Sequence, residues 1–300
     1  MKILVTGAFP MTEAERGELE AAGHELCFQQ QEKDATVHPE QYDAAICNAL
    51  FLYNPIERFT SLKMIQLTSA GMDRVPMDYI RAHGIELQNA GGVYSIPMAE
   101  FAVGGILQIY KKSRAFMDSQ RAHLWAKQRD LLELFGKTVC IVGTGDVGRE
   151  IAKRLKAFGC YVIGVNRTVR SVGCFDEVLP LSALLAAVKR ADILMSCIAL
   201  TEETAGLIGK DVFNSLPDGA VFVNVSRGKL VDESSLIEWL QSDRSFGAVL
   251  DVFETEPLSP ESPLWEMENV VLSPHNSYVG EKVHYRLWKW VMRCFTDENG

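Results

Sequence analysis

Basic residues are in short supply: 30 Lys and Arg stand against 39 Asp and Glu, a formal net charge of −9. Nucleic-acid binding leans on clustered cations that displace counterions from phosphates, so no nucleic-acid partner is expected. Long apolar runs are missing too. A membrane helix needs about 20 apolar residues in succession, and Gly, Pro or charge breaks every candidate; no membrane partner is expected. Met1 leads straight into the strand-like Lys2-Ile3-Leu4-Val5-Thr6, without a charged n-region, an apolar h-region or a small-residue cleavage site. The expectation is a soluble, cytoplasmic protein. The seven cysteines, Cys27, Cys47, Cys140, Cys160, Cys174, Cys197 and Cys294, are odd in number, lack CxxC spacing and lie mostly in apolar runs. They read as reduced core thiols. No Cys and His cluster has the spacing of a zinc site, so no metal is expected. Internal repeats and low-complexity segments are absent as well.

What is present is ordinary globular material, 47% hydrophobic, in 300 residues. That length exceeds what one core usually serves, so two domains are expected. Short apolar runs at 2–7, 25–28, 44–49, 64–69 and 85–89 alternate with helix-like stretches and predict a small parallel α/β unit. Asn89-Ala90-Gly91-Gly92-Val93 interrupts the pattern, and Pro97 suits the first turn of a long helix through about Phe116. A second alternation begins at Thr138, with strands at 139–142, 161–165, 193–198, 220–225, 246–252 and 270–272: the doubly wound pattern. A final amphipathic stretch, 282–295, is expected to pack back on the first domain. The fold class is therefore α/β, two doubly wound parallel-sheet domains, residues 1–92 with 273–300 forming one and 93–272 the other.

The turn Gly143-Thr144-Gly145-Asp146-Val147-Gly148 follows the strand-like Val139-Cys140-Ile141-Val142 and opens a helix. A lone GxGxxG is weak evidence; in that context it is the dinucleotide fingerprint. The first glycine allows the tight turn, the second lets backbone approach a pyrophosphate, and the third lets helix and strand pack closely. The helix N-terminus then faces the phosphates with free N–H groups. An NAD site usually carries an acidic residue about 20 residues on, for the ribose 2′-hydroxyl. Asn166-Arg167-Thr168 stands there instead. Asn166 removes a charge that would repel a 2′-phosphate, Arg167 can pair with it, and Thr168 and Arg170 can assist. NADP(H) is favoured, with NAD(H) as the alternative.

Three more segments fall at the carboxyl ends of predicted strands, where ligands collect in open α/β sheets: 223–232, 250–257 and 273–276. Together with the glycine turn, Ser69-Ala70-Gly71-Met72-Asp73, the stretch 89–100 and Leu200-Thr201-Glu202-Glu203-Thr204, they follow one another in an order that resembles the D-isomer-specific 2-hydroxyacid dehydrogenase family along nearly the whole chain. That resemblance implies a flavodoxin-like substrate domain with a Rossmann NAD(P)-binding domain inserted into it. The implied activity is hydride transfer between NAD(P)(H) and a small 2-keto or D-2-hydroxy acid.

Such chemistry needs a cation for the carboxylate, an acid for the carbonyl oxygen and a partner for that acid. Arg227 suits the first role, as a planar guanidinium grips a carboxylate better than a lysine does. His275, after Ser273-Pro274 at a strand end, is the implied acid and base. Glu256, just before Pro257, is its implied partner, with Glu254 a neighbouring competitor. Asp251 is assigned to the nicotinamide carboxamide, the alternative being a buried structural carboxylate. Cys197, Ile198 and Ala199 should pass under the adenosine half of the cofactor, with Val225, Ser226 and Asn276 also lining its site. Thr204 either reaches the pyrophosphate or caps the following helix. The turn Ser69-Ala70-Gly71 offers backbone N–H groups to the substrate carboxylate.

Some positions depart from the family pattern. Tyr94 replaces the usual Asn of a GVN-type turn, narrowing the pocket and offering a hydroxyl, and Asn276 follows His275 where a glycine two residues on is commoner. The chain stops at Gly300 soon after Trp288-Lys289-Trp290, and no regulatory extension is expected. The stretch 97–125 carries an apolar face and then Trp125; in the family this region reaches across a two-fold dimer, so a homodimer is expected over a core helix of one chain. The competing functional reading is a non-catalytic, dinucleotide-sensing binding protein of the same fold, which would not need Arg227, Glu256 and His275 together.

Overall fold

Alternating apolar runs become twelve strands among the described residues, every pair parallel, in a computed structural model that describes residues 1–169 and 172–296. The chain divides into two units: Met1–Tyr94 with the segment from Gly280, and Ser95–Val279.

In the first unit, β1 (Lys2–Thr6), β2 (Glu25–Gln29), β3 (Ala44–Cys47), β4 (Met64–Leu67) and β5 (Glu86–Gln88) stand in the order β2-β1-β3-β4-β5. This is the flavodoxin-like order. All residues of β3 and β4 are buried, as expected of strands covered on both faces. Alternate residues serve opposite sides: Ile3 and Val5 join a cluster with Leu287 and Val291, whereas Leu4 packs with Leu50 and Ile80. The final stretch is the helix Val283–Phe295, and it covers this sheet.

The second unit holds β6 (Thr138–Val142), β7 (Tyr161–Asn166), β8 (Glu177–Pro180), β9 (Ile193–Ser196), β10 (Ala220–Asn224), β11 (Ser245–Leu250) and β12 (Val270–Leu272). Their order, β12-β11-β10-β9-β6-β7-β8, is the Rossmann arrangement with one added strand, its switch point between β6 and β9. Helices Ser95–Tyr110 and Asp146–Ala157 cover one face; Leu184–Val188, Lys210–Ser215 and Glu233–Leu240 cover the other.

Three features differ from the sequence-based expectation. Strand β8 was not anticipated: it is a half-buried edge strand ending in proline, paired only with β7, and edge strands lack a strong apolar signature. The single helix expected over 97–116 is two, Ser95–Tyr110 and Ser113–Arg121, with Lys112 left-handed between them at φ 49°. The first buries its apolar stripe down to Tyr110, the second buries nothing, and Lys111 and Lys112 turn away to the Leu132 carbonyl and the Asp130 carboxylate. The units divide at 94/95 and 279/280, not at 92/93 and 272/273. The amides of Ser273 and His275 donate to the Leu250 and Asp251 carbonyls at 3.0 and 2.7 Å, so this loop stays with the second unit.

Among the described residues no helix is long and apolar enough to cross a membrane, and no group of three or more His, Cys, Asp or Glu could hold a metal ion. The seven cysteines are unpaired, with Cys47, Cys140 and Cys160 buried.

One clasp ties the ends of the first unit together. Thr12 and Glu15 form a capping box at the start of helix Glu13–Ala21. The second Glu15 oxygen meets His284 Nε2 at 2.7 Å, and the His284 ring stacks on Phe9, centroids 5.2 Å apart. Burial works to raise the Glu15 carboxyl, but the Thr12 amide and hydroxyl and the His284 imidazole outweigh it and hold the carboxyl below its ordinary value. A depressed carboxylate contributes stability above its unfolded value and loses it as pH falls through the folded one. Glu15→Gln should therefore lower stability by about 1–3 kcal/mol at pH 7, with the difference from wild type narrowing below pH 4.5; urea unfolding at pH 7 and pH 3.5 measures both, and an equal loss at both would remove the charge from the account.

Candidate active site

The glycine turn leaves the end of β6. Gly143 has φ 110°, and a Cβ there would lie 2.6 Å from the Cys197 backbone carbon. A Cβ on Gly148 would lie 2.0 Å from the Gly143 oxygen. Both glycines are demanded by the fold itself. Gly145 is not: it caps the helix Asp146–Ala157, and nothing lies within 4 Å of where its Cβ would stand. The open space faces a helix N-terminus with its free N–H groups, the cradle a phosphate needs. These residues fit a dinucleotide.

Asn166 ends β7, and its amide is spent within the protein: Nδ2 donates to Thr144 Oγ1 at 2.8 Å, and Oδ1 accepts from the Arg167 amide at 2.9 Å. Arg167 and Thr168 are exposed, the Arg167 guanidinium 3.8 Å from the Glu203 carboxylate. Arg170 lies outside the described residues. Past β9, the Cys197 amide donates to the Val142 carbonyl at 2.8 Å, while burial pushes the Cys197 thiol up to about 12. Ile198 is buried and Ala199 exposed.

Thr204 neither reaches outward nor caps a helix. Its buried hydroxyl donates to the Ala199 carbonyl and accepts from the Thr201 amide, both at 2.8 Å, and the next helix begins only at Lys210. It locks the turn from which it comes.

Asp251, just after β11, is fully buried, and its carboxylate is bonded to the loop after β12. Oδ1 accepts from the Ser273 hydroxyl and from the amides of Asn276 at 2.7 Å and Ser277 at 3.1 Å. Oδ2 accepts from the Ser277 amide, also at 3.1 Å. The carboxylate is the anchor of the His275 loop. His275 itself is left-handed, φ 50°, a conformation that costs a non-glycine residue about 1–3 kcal/mol and persists only where its surroundings hold it.

That loop brings two of the three expected reacting groups into direct contact: His275 Nδ1 stands 2.8 Å from Glu256 Oε2. A carboxylate can only accept, so the imidazole donates from Nδ1 and Nε2 is its outward end. Glu256 Oε1 accepts from the Phe253 amide at 3.1 Å, which fixes the carboxylate. The exposed Glu254 donates its backbone amide to the Glu233 carboxylate at 3.1 Å. Arg227 adjoins this loop through its neighbour. A Cβ on Gly228 would lie 1.8 Å from the Phe253 backbone carbon, so only glycine lets the two loops meet. The Arg227 guanidinium donates to the Ser226 carbonyl at 2.9 Å. Val225 is buried, and the Ser226 hydroxyl donates to the Ile198 carbonyl.

Sequence reasoning passed over Asn224, Gly228, Ser273, Ser277 and Tyr278. Buried Asn224 braces the Arg227 loop, donating to the Arg227 carbonyl and accepting from the Ser226 amide, each at 3.1 Å. The Tyr278 ring stands edge-on to His275, centroids 6.3 Å apart. A polar residue ending an otherwise apolar strand was the available signal for Asn224; Ser273 and Ser277 carry none without the position of Asp251.

In the first unit, the Ser69 hydroxyl donates to the Gly71 carbonyl at 2.9 Å, and Asn89 holds the Ala70 carbonyl at 2.7 Å. The Tyr94 hydroxyl donates to the Thr68 carbonyl, so its proton braces the end of β4 and is not on offer to a ligand.

The two outer glycines of the turn predict opposite outcomes to the middle one. Gly145→Ala should leave the melting temperature within about 2 °C, since its Cβ meets only open space, yet weaken dinucleotide binding at least about tenfold. Gly148→Ala should destabilise by about 2 kcal/mol or more. Thermal melts beside cofactor fluorescence titration decide, and a Gly145→Ala protein that binds like wild type would remove the cradle.

The model of the D-isomer specific 2-hydroxyacid dehydrogenase NAD binding domain matches residues 103–277. A glyoxylate/hydroxypyruvate reductase of Arabidopsis thaliana is 34% identical over 223 residues, 73% of this chain and 68% of that one. A D-3-phosphoglycerate dehydrogenase of Archaeoglobus fulgidus is 34% identical over 224 residues, 73% of this chain but 42% of that one, so this chain spans less than half of that relative. Among solved structures, the NADPH-dependent glyoxylate/hydroxypyruvate reductase of Sinorhizobium meliloti superposes with a TM-score of 0.81 at 28% identity, over 97% of this chain and 91% of that one. Matched by that model over more than half its length, the chain belongs to the D-isomer-specific 2-hydroxyacid dehydrogenases, enzymes that act with NAD(P) on the CH–OH group of small 2-hydroxy acids.

Proposed function

We propose that this dehydrogenase interconverts a small 2-keto acid and its D-2-hydroxy acid with Arg227, Glu256 and His275 as its reacting groups. The observation that carries the proposal is the 2.8 Å contact of His275 Nδ1 with a Glu256 carboxylate that is itself fixed by the Phe253 amide. A carboxylate at Nδ1 sets the ring's orientation. In the reducing direction, Nε2 would give its proton to the carbonyl oxygen, and in the other direction it would take the hydroxyl proton; a nicotinamide held at the glycine turn would supply or take up the hydride. Arg227 holds the carboxylate and polarises the adjacent carbonyl. The amides of Ser69, Ala70 and Gly71 are a second carboxylate donor set, and Tyr94 an aromatic wall that bounds substrate size. Asp251 anchors the His275 loop and is also the nicotinamide-carboxamide residue in this proposal, the alternative being a purely structural carboxylate.

NADP(H) is the favoured cofactor, with NAD(H) as alternative: Asn166 is uncharged and turned to Thr144, which leaves the exposed Arg167 beside the turn. Val225, Ser226 and Asn276 complete the cofactor residues. A homodimer is supported by the apolar exposure of Phe116, Met117, Leu124 and Phe135 and by a Trp125 that is 95% exposed, exposure that water does not favour. Unpaired cysteines suit the cytoplasm.

Glyoxylate, hydroxypyruvate, 3-phosphohydroxypyruvate and pyruvate, each offered with NADPH and NADH, should yield turnover on at least one acid, with the higher kcat/KM on NADPH. No turnover with any pair would overturn the proposal, and a clear NADH preference its cofactor half. His275→Asn should cut kcat by about 10² or more with cofactor affinity unchanged; an unaltered rate would take His275 out of the chemistry. Sedimentation at micromolar concentration should show a dimer, and Trp125→Glu should shift it to monomer. A monomeric wild type would count against the dimer.

A further inference from the structure

We infer that Glu203 tunes the discrimination between a phosphorylated and an unphosphorylated adenosine ribose, by holding a carboxylate against the guanidinium that would take the 2′-phosphate. The inference rests on the NADP(H) reading of Arg167.

Glu203 Oε2 lies 3.8 Å from Arg167 Nη1, with the two side chains 75% and 63% exposed. An ion pair this exposed contributes little to stability. Its placement is nevertheless built in from both sides. Glu203 precedes Thr204, whose buried hydroxyl closes the 199–204 turn through the Ala199 carbonyl and the Thr201 amide, reinforced by the Ala205 amide donating to the Thr201 carbonyl at 3.0 Å. Arg167 follows Asn166, which is bonded to Thr144 of the glycine turn and to the Arg167 amide. Two backbone anchors therefore present an acid and a base to each other at the rim of the dinucleotide cradle.

The electrostatic consequence is one-sided. A 2′-phosphate brings nearly two negative charges to Arg167; Glu203 must surrender the guanidinium and then remains as a like charge nearby. A 2′-hydroxyl needs neither change. Glu203 thus weakens binding of the phosphorylated ribose alone, and holds the chain closer to dual use of the two cofactors than Arg167 by itself would.

Titration calorimetry with adenosine 2′,5′-bisphosphate and with 5′-AMP tests this without turnover. Glu203→Gln should tighten the bisphosphate about three- to tenfold and change 5′-AMP less than about twofold, the gain shrinking in 0.5 M salt as screening grows. Arg167→Ala should erase the preference for the bisphosphate, and adding Glu203→Gln to it should then do nothing. If Arg167→Ala erases the preference but Glu203→Gln leaves it unchanged, the Glu203 inference is overturned and the NADP(H) reading stands. If Arg167→Ala leaves the ratio of the two ligands as in wild type, the NADP(H) reading fails and takes the inference with it. The position is exposed, so folding is not at risk, and kcat with NADH should be unaltered.

Discussion

A carboxylate taken wholly out of water at the end of a strand must find donors or destabilise the fold. Asp251 finds them in one place, the loop after β12: the Ser273 hydroxyl and the amides of Asn276 and Ser277. The Asp251 carbonyl takes the His275 amide as well. Everything about His275 follows from that anchor. Its left-handed backbone is held, its ring meets Glu256, and its loop belongs to the second unit although it lies past the last strand. The buried charge is the clamp that positions the His275 loop.

Backbone against backbone is the other constraint. Gly143 lies against Cys197, Gly148 against Gly143, and Gly228 against Phe253. The first and third join loops from different strand ends, and all three leave no room for a Cβ. The first two close the turn at the switch point between β6 and β9, where ligands enter a doubly wound sheet; the third brings the Arg227 loop to the loop that holds Glu256. Gly145, with open space before it, is the one glycine of the turn that the fold itself does not demand.

Much of this was legible because periodicity reports burial. Strands β3, β4, β6 and β10 are nearly continuous apolar runs covered on both faces, and they stand within one or two residues of where the runs placed them. The half-buried edge strand β8 has no such run and was invisible. The break at Lys112 was equally hidden, as nothing local forces it: it arises where the buried stripe of the first helix ends. Glu256 was separated from Glu254 by its place before Pro257, and the contact with His275 follows the same choice.

The sequence by itself determined the two-sheet α/β architecture, the glycine turn at the end of β6 and the identity of the imidazole, carboxylate and guanidinium at strand ends, because these are written in spacing and residue type. The tertiary structure alone decided what the polar groups touch. Asp251 meets its own loop, Thr204 its own turn, and the Tyr94 hydroxyl the Thr68 carbonyl. A hydroxyl or carboxylate has the same chemistry whether it faces a ligand or the chain. Which donor lies within 3 Å is a matter of folded distance, and no local pattern encodes it.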